Sequence, residues 1–156
     1  MSLVRGVLIG AAAGAAGTTA LNAETYLDMV ARGRPTSSTP EDTGEKLSDK
    51  AHVPVPGEGD ARKNRVAGLG PLTGPVAGVG VGAGGLARAA GWRPDLVVSG
   101  LLATVGALIG SNAPMTVLGV TDPRTWAATD WVADVAPHVV YGAVTAWVLQ
   151  GLDQHP

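Results

Sequence analysis

Four side chains able to move protons or hold a cation stand in pairs, Glu24 with Asp28 and Asp134 with His138. Each pair is separated by four positions, so on a helix both members occupy one face. Asp130 and Tyr141 extend the second pair along that face. Carboxylates and an imidazole at this spacing admit three kinds of chemistry. The first is a structural network, with Arg65 paired to a carboxylate and Asp134 fixing His138. The second is a proton or cation path in which His138 exchanges protons with Asp134 and Asp130. The third is a metal site of Glu24, Asp28, Asp134 and His138, all acceptable ligands for hard or borderline cations.

Other chemistry finds little footing. The chain has no Cys, which excludes disulfides, thiolate metal sites and cysteine nucleophiles. No Ser or Thr sits in a nucleophile elbow. The run GVGVGAGG (78–85) lacks the Lys-Ser/Thr and preceding strand of a phosphate loop, and no cofactor motif is present. A formal net charge of −2 leaves no basic face for nucleic acid.

The elements that must carry these residues follow from composition. Only 15% of the 156 residues are charged and 23 are Gly, against roughly 25% charged residues in a soluble domain. The charges are segregated. Seven of the eleven Lys and Arg (Arg32, Arg34, Lys46, Lys50, Arg62, Lys63, Arg65) fall in one stretch with Glu41, Asp42, Glu45, Asp49, Glu58 and Asp60. The remainder is apolar without an amphipathic stripe, so a mean hydropathy of +0.21 averages two regimes. Four apolar segments, about 3–31, 66–90, 95–114 and 130–152, are long enough to cross a hydrocarbon core of roughly 30 Å as helices. The expectation is an all-α membrane protein in a single domain, a bundle of about four transmembrane helices. A polar loop, 33–65, would join the first two spans and carry a short helix at about 40–51, opened by Thr39-Pro40-Glu41. A soluble Gly-rich bundle is one alternative. A signal peptide over residues 1–23, with Arg5 as its basic end, is another.

Glycines recur every fourth residue at Gly6, Gly10 and Gly14, at Gly70, Gly74, Gly78 and Gly82, and at Gly106 and Gly110. Such stripes let helix backbones approach closely in lipid, so glycine-zipper packing is expected, within the chain or in a homo-oligomer. The Lys/Arg distribution places the 33–65 loop on the cytoplasmic side of the plasma membrane and both termini outside. With spans alternating, one end of the bundle collects Asn22, Glu24 and Asp28, then Asn64 and Arg65, then Ser111 and Asn112, then Asp130, Asp134, His138 and Tyr141.

The run PMTVLGVTDPRTWAATDWVADVAPHVVYGAVTAW (114–147), with ALNAETYLDM (20–29) and RGRPTSSTPE (32–41), resembles a group of uncharacterised multi-pass membrane proteins common in actinobacteria. The LGVTDP stretch followed by a helix with a mid-membrane His is distantly similar to the YagU-like inner-membrane family. The resemblance implies the membrane fold, singles out Asp134, Pro137, His138 and Tyr141, and brings no activity. The leading functional expectation is a non-enzymatic scaffold or accessory subunit with the bilayer, further copies or a larger membrane complex as partners. The alternative is a minimal carrier for protons or a divalent cation, and an enzyme acting on lipid ranks third.

Overall fold

In the computed structural model the described residues are 2–81, 87 and 90–153, with backbone alone for 70, 71 and 73–81. Among them every regular element is helical: α1 (Leu3–Arg32), α2 (Thr39–Ala51), α3 (Gly59–Val81), α4 (Leu96–Val117), a short 3-10 turn (Pro123–Thr125) and α5 (Ala128–Asp153). Three of them, α1, α4 and α5, are long and apolar enough to cross a membrane. The segment expected over 66–90 runs beyond the described residues, and the helix that enters it begins earlier, at Gly59, so the polar loop is shorter than anticipated.

Local chemistry sets the helix ends. The Ser2 side chain accepts from the Arg5 amide, and Gly33 closes α1 in the left-handed region at φ 63°. Helix α2 starts one residue before its expected first position because the Ser37 hydroxyl takes the Thr39 amide, leaving Thr39 inside the helix. Asp95 caps α4 by accepting from the Val98 amide at 2.8 Å. At the start of α5 the Asp130 carboxylate reaches back to accept from the Ala127 amide at 2.9 Å. Pro114 and Pro137 lie inside α4 and α5. A proline there withholds one N–H from the helix ladder, a loss that transmembrane helices tolerate when neighbouring groups take up the freed carbonyl.

Helix α5 is the centre of the assembly, packed by α1 on one side and α4 on the other. Both neighbours run antiparallel to it. Ile9 and Ala13 of α1 cluster with Leu149 near the end of α5, while Gly17 lies against Tyr141 and Thr145 further back. Likewise Gly100 of α4 lies against Gly142 and Ala146, and Asn112 reaches Asp134. Helix α3 packs on α1 and α2 and more lightly on α4. The polar segment is tied down at one further point, where Lys46 of α2 donates to the carbonyls of Leu118 (3.1 Å) and Gly119 (2.8 Å) beyond the C-terminus of α4. An ammonium there satisfies carbonyls that the helix end leaves without partners.

Candidate functional site

Of the polar residues expected at one end of the bundle, the structure brings Ser111, Asn112, Asp134 and His138 together at the α4–α5 seam and leaves the others apart. His138 is buried, and its ring spans the two helices. Nδ1 stands 2.6 Å from the Asp134 carbonyl oxygen one turn below, and Nε2 stands 3.2 Å from Ser111 Oγ on α4. The carbonyl can only accept, so Nδ1 carries a hydrogen. The Asp134 carboxylate lies 3.6 Å from the same nitrogen and accepts from Asn112 Nδ2 at 2.8 Å. Two adjacent residues of α4, Ser111 and Asn112, thus meet two residues of α5 one turn apart. Asn112 Oδ1 is buried without a hydrogen-bond partner.

The remaining predicted members lie elsewhere. Asp28 is engaged by two guanidinium groups, Arg32 at 2.6 Å and Arg34 at 2.5 Å, at the end of α1. Glu24 and Asp130 are within electrostatic range of Arg32. Glu24 Oε2 is buried without a hydrogen-bond partner. Arg65 is exposed and donates to the Pro56 carbonyl at 2.7 Å, so the expected pairing of Arg65 with a cluster carboxylate is not formed. The physical reason is the early start of α3, which puts Arg65 beside its own loop. Asn22 and Asn64 are exposed. Tyr141 is nearly fully buried against Gly17, deeper along α5 than the Asp134 network. Among the described residues no three His, Asp or Glu side chains gather as a ligand set, so Glu24, Asp28, Asp134 and His138 do not converge on a common point.

The glycines divide in a similar way. Gly6, Gly10, Gly14 and Gly17 are all buried and form one stripe with Ile9, Ala13 and Thr18. Gly106 is half-buried and Gly110 exposed, while Gly82 and the burial of Gly70, Gly74 and Gly78 fall outside the described residues. Close approaches also occur at positions outside the every-fourth-residue stripes. A Cβ on Gly142 would overlap Thr104 Oγ1 and come within 2.5 Å of the Gly100 carbonyl oxygen and 2.9 Å of the Thr104 amide. One on Gly17 would overlap Thr145 Oγ1 and stand 2.9 Å from the Tyr141 carbonyl oxygen. The available signal was indirect: Gly142 is four residues beyond His138, on the same face as Asp134.

Compared with family models, curated proteins and solved structures, the chain matches none.

Function therefore rests on the site itself. Beside the network, on the flank of the bundle, a groove of about 420 Å³ is lined by Leu108, Ile109, Ala113, Val117 and Trp131, with Asn112 and Thr116 as its polar members. His138 and Asp134 do not line it. An acid, base or nucleophile aimed at a lipid in that groove is therefore lacking among the described residues, since an amide and a hydroxyl without an adjacent base activate nothing. The network's own geometry suits two tasks, holding α4 to α5 and carrying a proton between them.

Proposed function

We propose that the protein is a non-enzymatic integral membrane scaffold or accessory subunit, with α1, α4, α5 and the 66–90 segment as four spans. In this reading the small-residue stripe of α1 and the glycines from 70 to 82 pack as zippers, and the 33–65 loop faces the cytoplasm. The observation that carries it is the outer ridge of α4. Val97, Leu101, Val105 and Ile109, spaced by four, are 69%, 60%, 51% and 61% exposed. Just 17% of the most apolar window of α4 is buried inside the chain. Such a helix is held by its inner face and offers a continuous apolar row to a neighbour in the membrane. The polar residues at the seam, meanwhile, spend most of their bonds on one another.

The test is photocrosslinking in the native membrane, with a photoreactive residue at Leu101 or Val105 of the full-length chain. A discrete protein adduct, either a second copy or a distinct subunit, is expected. Adducts with lipid alone at both positions would overturn the proposal.

A second reading, a minimal proton carrier, is favoured by the row Ser111, His138, Asp134 and Asn112, hydrogen-bonded at its two ends and with 3.6 Å between the His138 ring and the Asp134 carboxylate. Its divalent-cation form gains nothing from a quartet whose Asp28 is held by two arginines. Proton flux into liposomes that disappears with Asp134→Asn/His138→Gln would replace the scaffold reading with this one.

A further inference from the structure

The Ser111 hydroxyl has one hydrogen and two competing destinations. His138 Nε2 is 3.2 Å away, and the carbonyls of Ala107 and Leu108, in its own helix, are 2.9 and 3.2 Å away. It cannot serve both. When the ring is neutral, Nδ1 keeps its hydrogen on the Asp134 carbonyl, Nε2 is a bare lone pair, and the hydroxyl must turn to it. When a proton is added to Nε2, the ring donates to Ser111 Oγ and the hydroxyl turns to the Ala107 carbonyl. Every donor is placed in both states. The one covalent bond formed is Nε2–H, made by the Nε2 lone pair with a proton taken from solvent, and no covalent bond of the protein is broken. A buried imidazole commonly resists charge because the second N–H would have no acceptor or the charge no counterpart. Here the hydroxyl supplies the acceptor and the Asp134 carboxylate, 3.6 Å from Nδ1, the counterpart.

The other ionisable groups facing this seam are few. Helix α4 has none from Leu96 to Val117, and the chain has none from Val66 to Ala87. Helix α1 has none from Gly6 to Ala23, after which come Glu24 and the arginine-bound Asp28. On α5 itself the titratable groups are Asp130, Asp134 and Tyr141 beside His138, then Asp153 at its far end. The carboxylate that stands against the ring is that of Asp134, and Arg32 is committed to Asp28.

We infer that His138 is a proton-binding site enclosed by α4 and α5, with the Ser111 hydroxyl as its two-position element. The charged state holds the seam by a charge-assisted bond to Ser111, and the neutral state holds it by an ordinary one. The seam is therefore tighter when the proton is bound. This goes beyond the proposed function, because it applies equally to a scaffold and to a carrier.

The experiment is ¹⁵N NMR of histidine rings in full-length protein in lipid bilayers between pH 8 and 5, with His138 assigned by its loss in His138→Gln. The expected result is a ring protonated at Nδ1 and bare at Nε2 in the basic range, gaining the Nε2 proton on acidification. In Ser111→Ala the proton affinity should fall about tenfold, and Ser111→Thr should restore it. A neutral ring bearing its hydrogen on Nε2 would overturn the inference. So would a ring that stays neutral to pH 5 in folded protein. If Ser111→Ala does not fold, the wild-type tautomer and its protonation decide alone.

Discussion

The two sides of α5 are closed by different physics. Toward α1 the contact depends on size: Gly17 sits under Tyr141 and Thr145, and Ile9, Ala13 and Leu149 fill the far end. Toward α4 the seam has two halves. One is again a matter of size, at Gly142 against Gly100 and Thr104, and the other is a hydrogen-bonded half at Ser111, Asn112, Asp134 and His138. Inside lipid there is no water to drive apolar faces together, so close packing and interhelical hydrogen bonds are the main sources of cohesion available. Helix α5 uses the first on both sides and the second on one. The packing implies that the bundle should be more sensitive to change at its small residues than at those with conspicuous chemistry.

The largest effect should come from Gly142→Ala. The new methyl meets backbone atoms of α4, which cannot rotate away, so the helices must part at a cost of roughly 2 kcal/mol, as for other overpacked cores. Gly151→Ala on the same helix meets nothing within 4 Å and should stabilise by up to about 1 kcal/mol through helix propensity. Reversible unfolding in mixed micelles measures both, and equal effects would erase the distinction between packed and open glycines of α5.

A smaller loss is expected from removing the interhelical hydrogen bond. Asn112→Ala, Asp134→Ala and the double variant form a cycle whose coupling should be about 0.6 to 2 kcal/mol, the range of such bonds in membranes. A coupling indistinguishable from zero would make size the sole principle on both sides of α5.

The smallest effect belongs to the turn that leads into α5. Hydrogen bonds from the Arg124 guanidinium and amide hold the Asp122 carboxyl below its ordinary range. A depressed carboxyl stabilises the turn above the unfolded range, and that contribution is lost as pH falls through the lower folded value. Arg124→Gln should raise the Asp122 titration toward the ordinary carboxylate range by NMR, with the amide hydrogen bond retained, while leaving the α4–α5 seam unchanged.

Much of the helical layout was legible because it depends on local sums. Apolar length predicts a span wherever it occurs, so the ends of α1, α4 and α5 fall within a few residues of expectation. Spacing along one helix was equally readable: Asp134 and His138 do share a face, and both turn toward α4. Partners across helices were not readable. Arg34 takes Asp28 because the chain turns at Gly33, and Lys46 reaches Leu118 across 72 residues of sequence separation. No pattern in either segment announces the other. The close contact at Gly142 escaped the every-fourth-residue rule because its counterpart stripe, Gly100 and Thr104, belongs to a different helix.

By itself, then, the sequence determined the element type, three of its four expected spans as helices long and apolar enough to cross a membrane, and which side chains share a helical face. These follow from backbone hydrogen bonding in an apolar medium and from the pitch of the helix, both local properties. The tertiary structure alone decided that His138 and Asp134 face Ser111 and Asn112 rather than Glu24, Asp28 or Arg65. It also decided that Gly17 and Gly142 lie too close to neighbouring helices to carry a Cβ. Those outcomes depend on the rotation and antiparallel register of three helices, set by the sum of many small packing terms over the whole interface, and no single segment contains that sum.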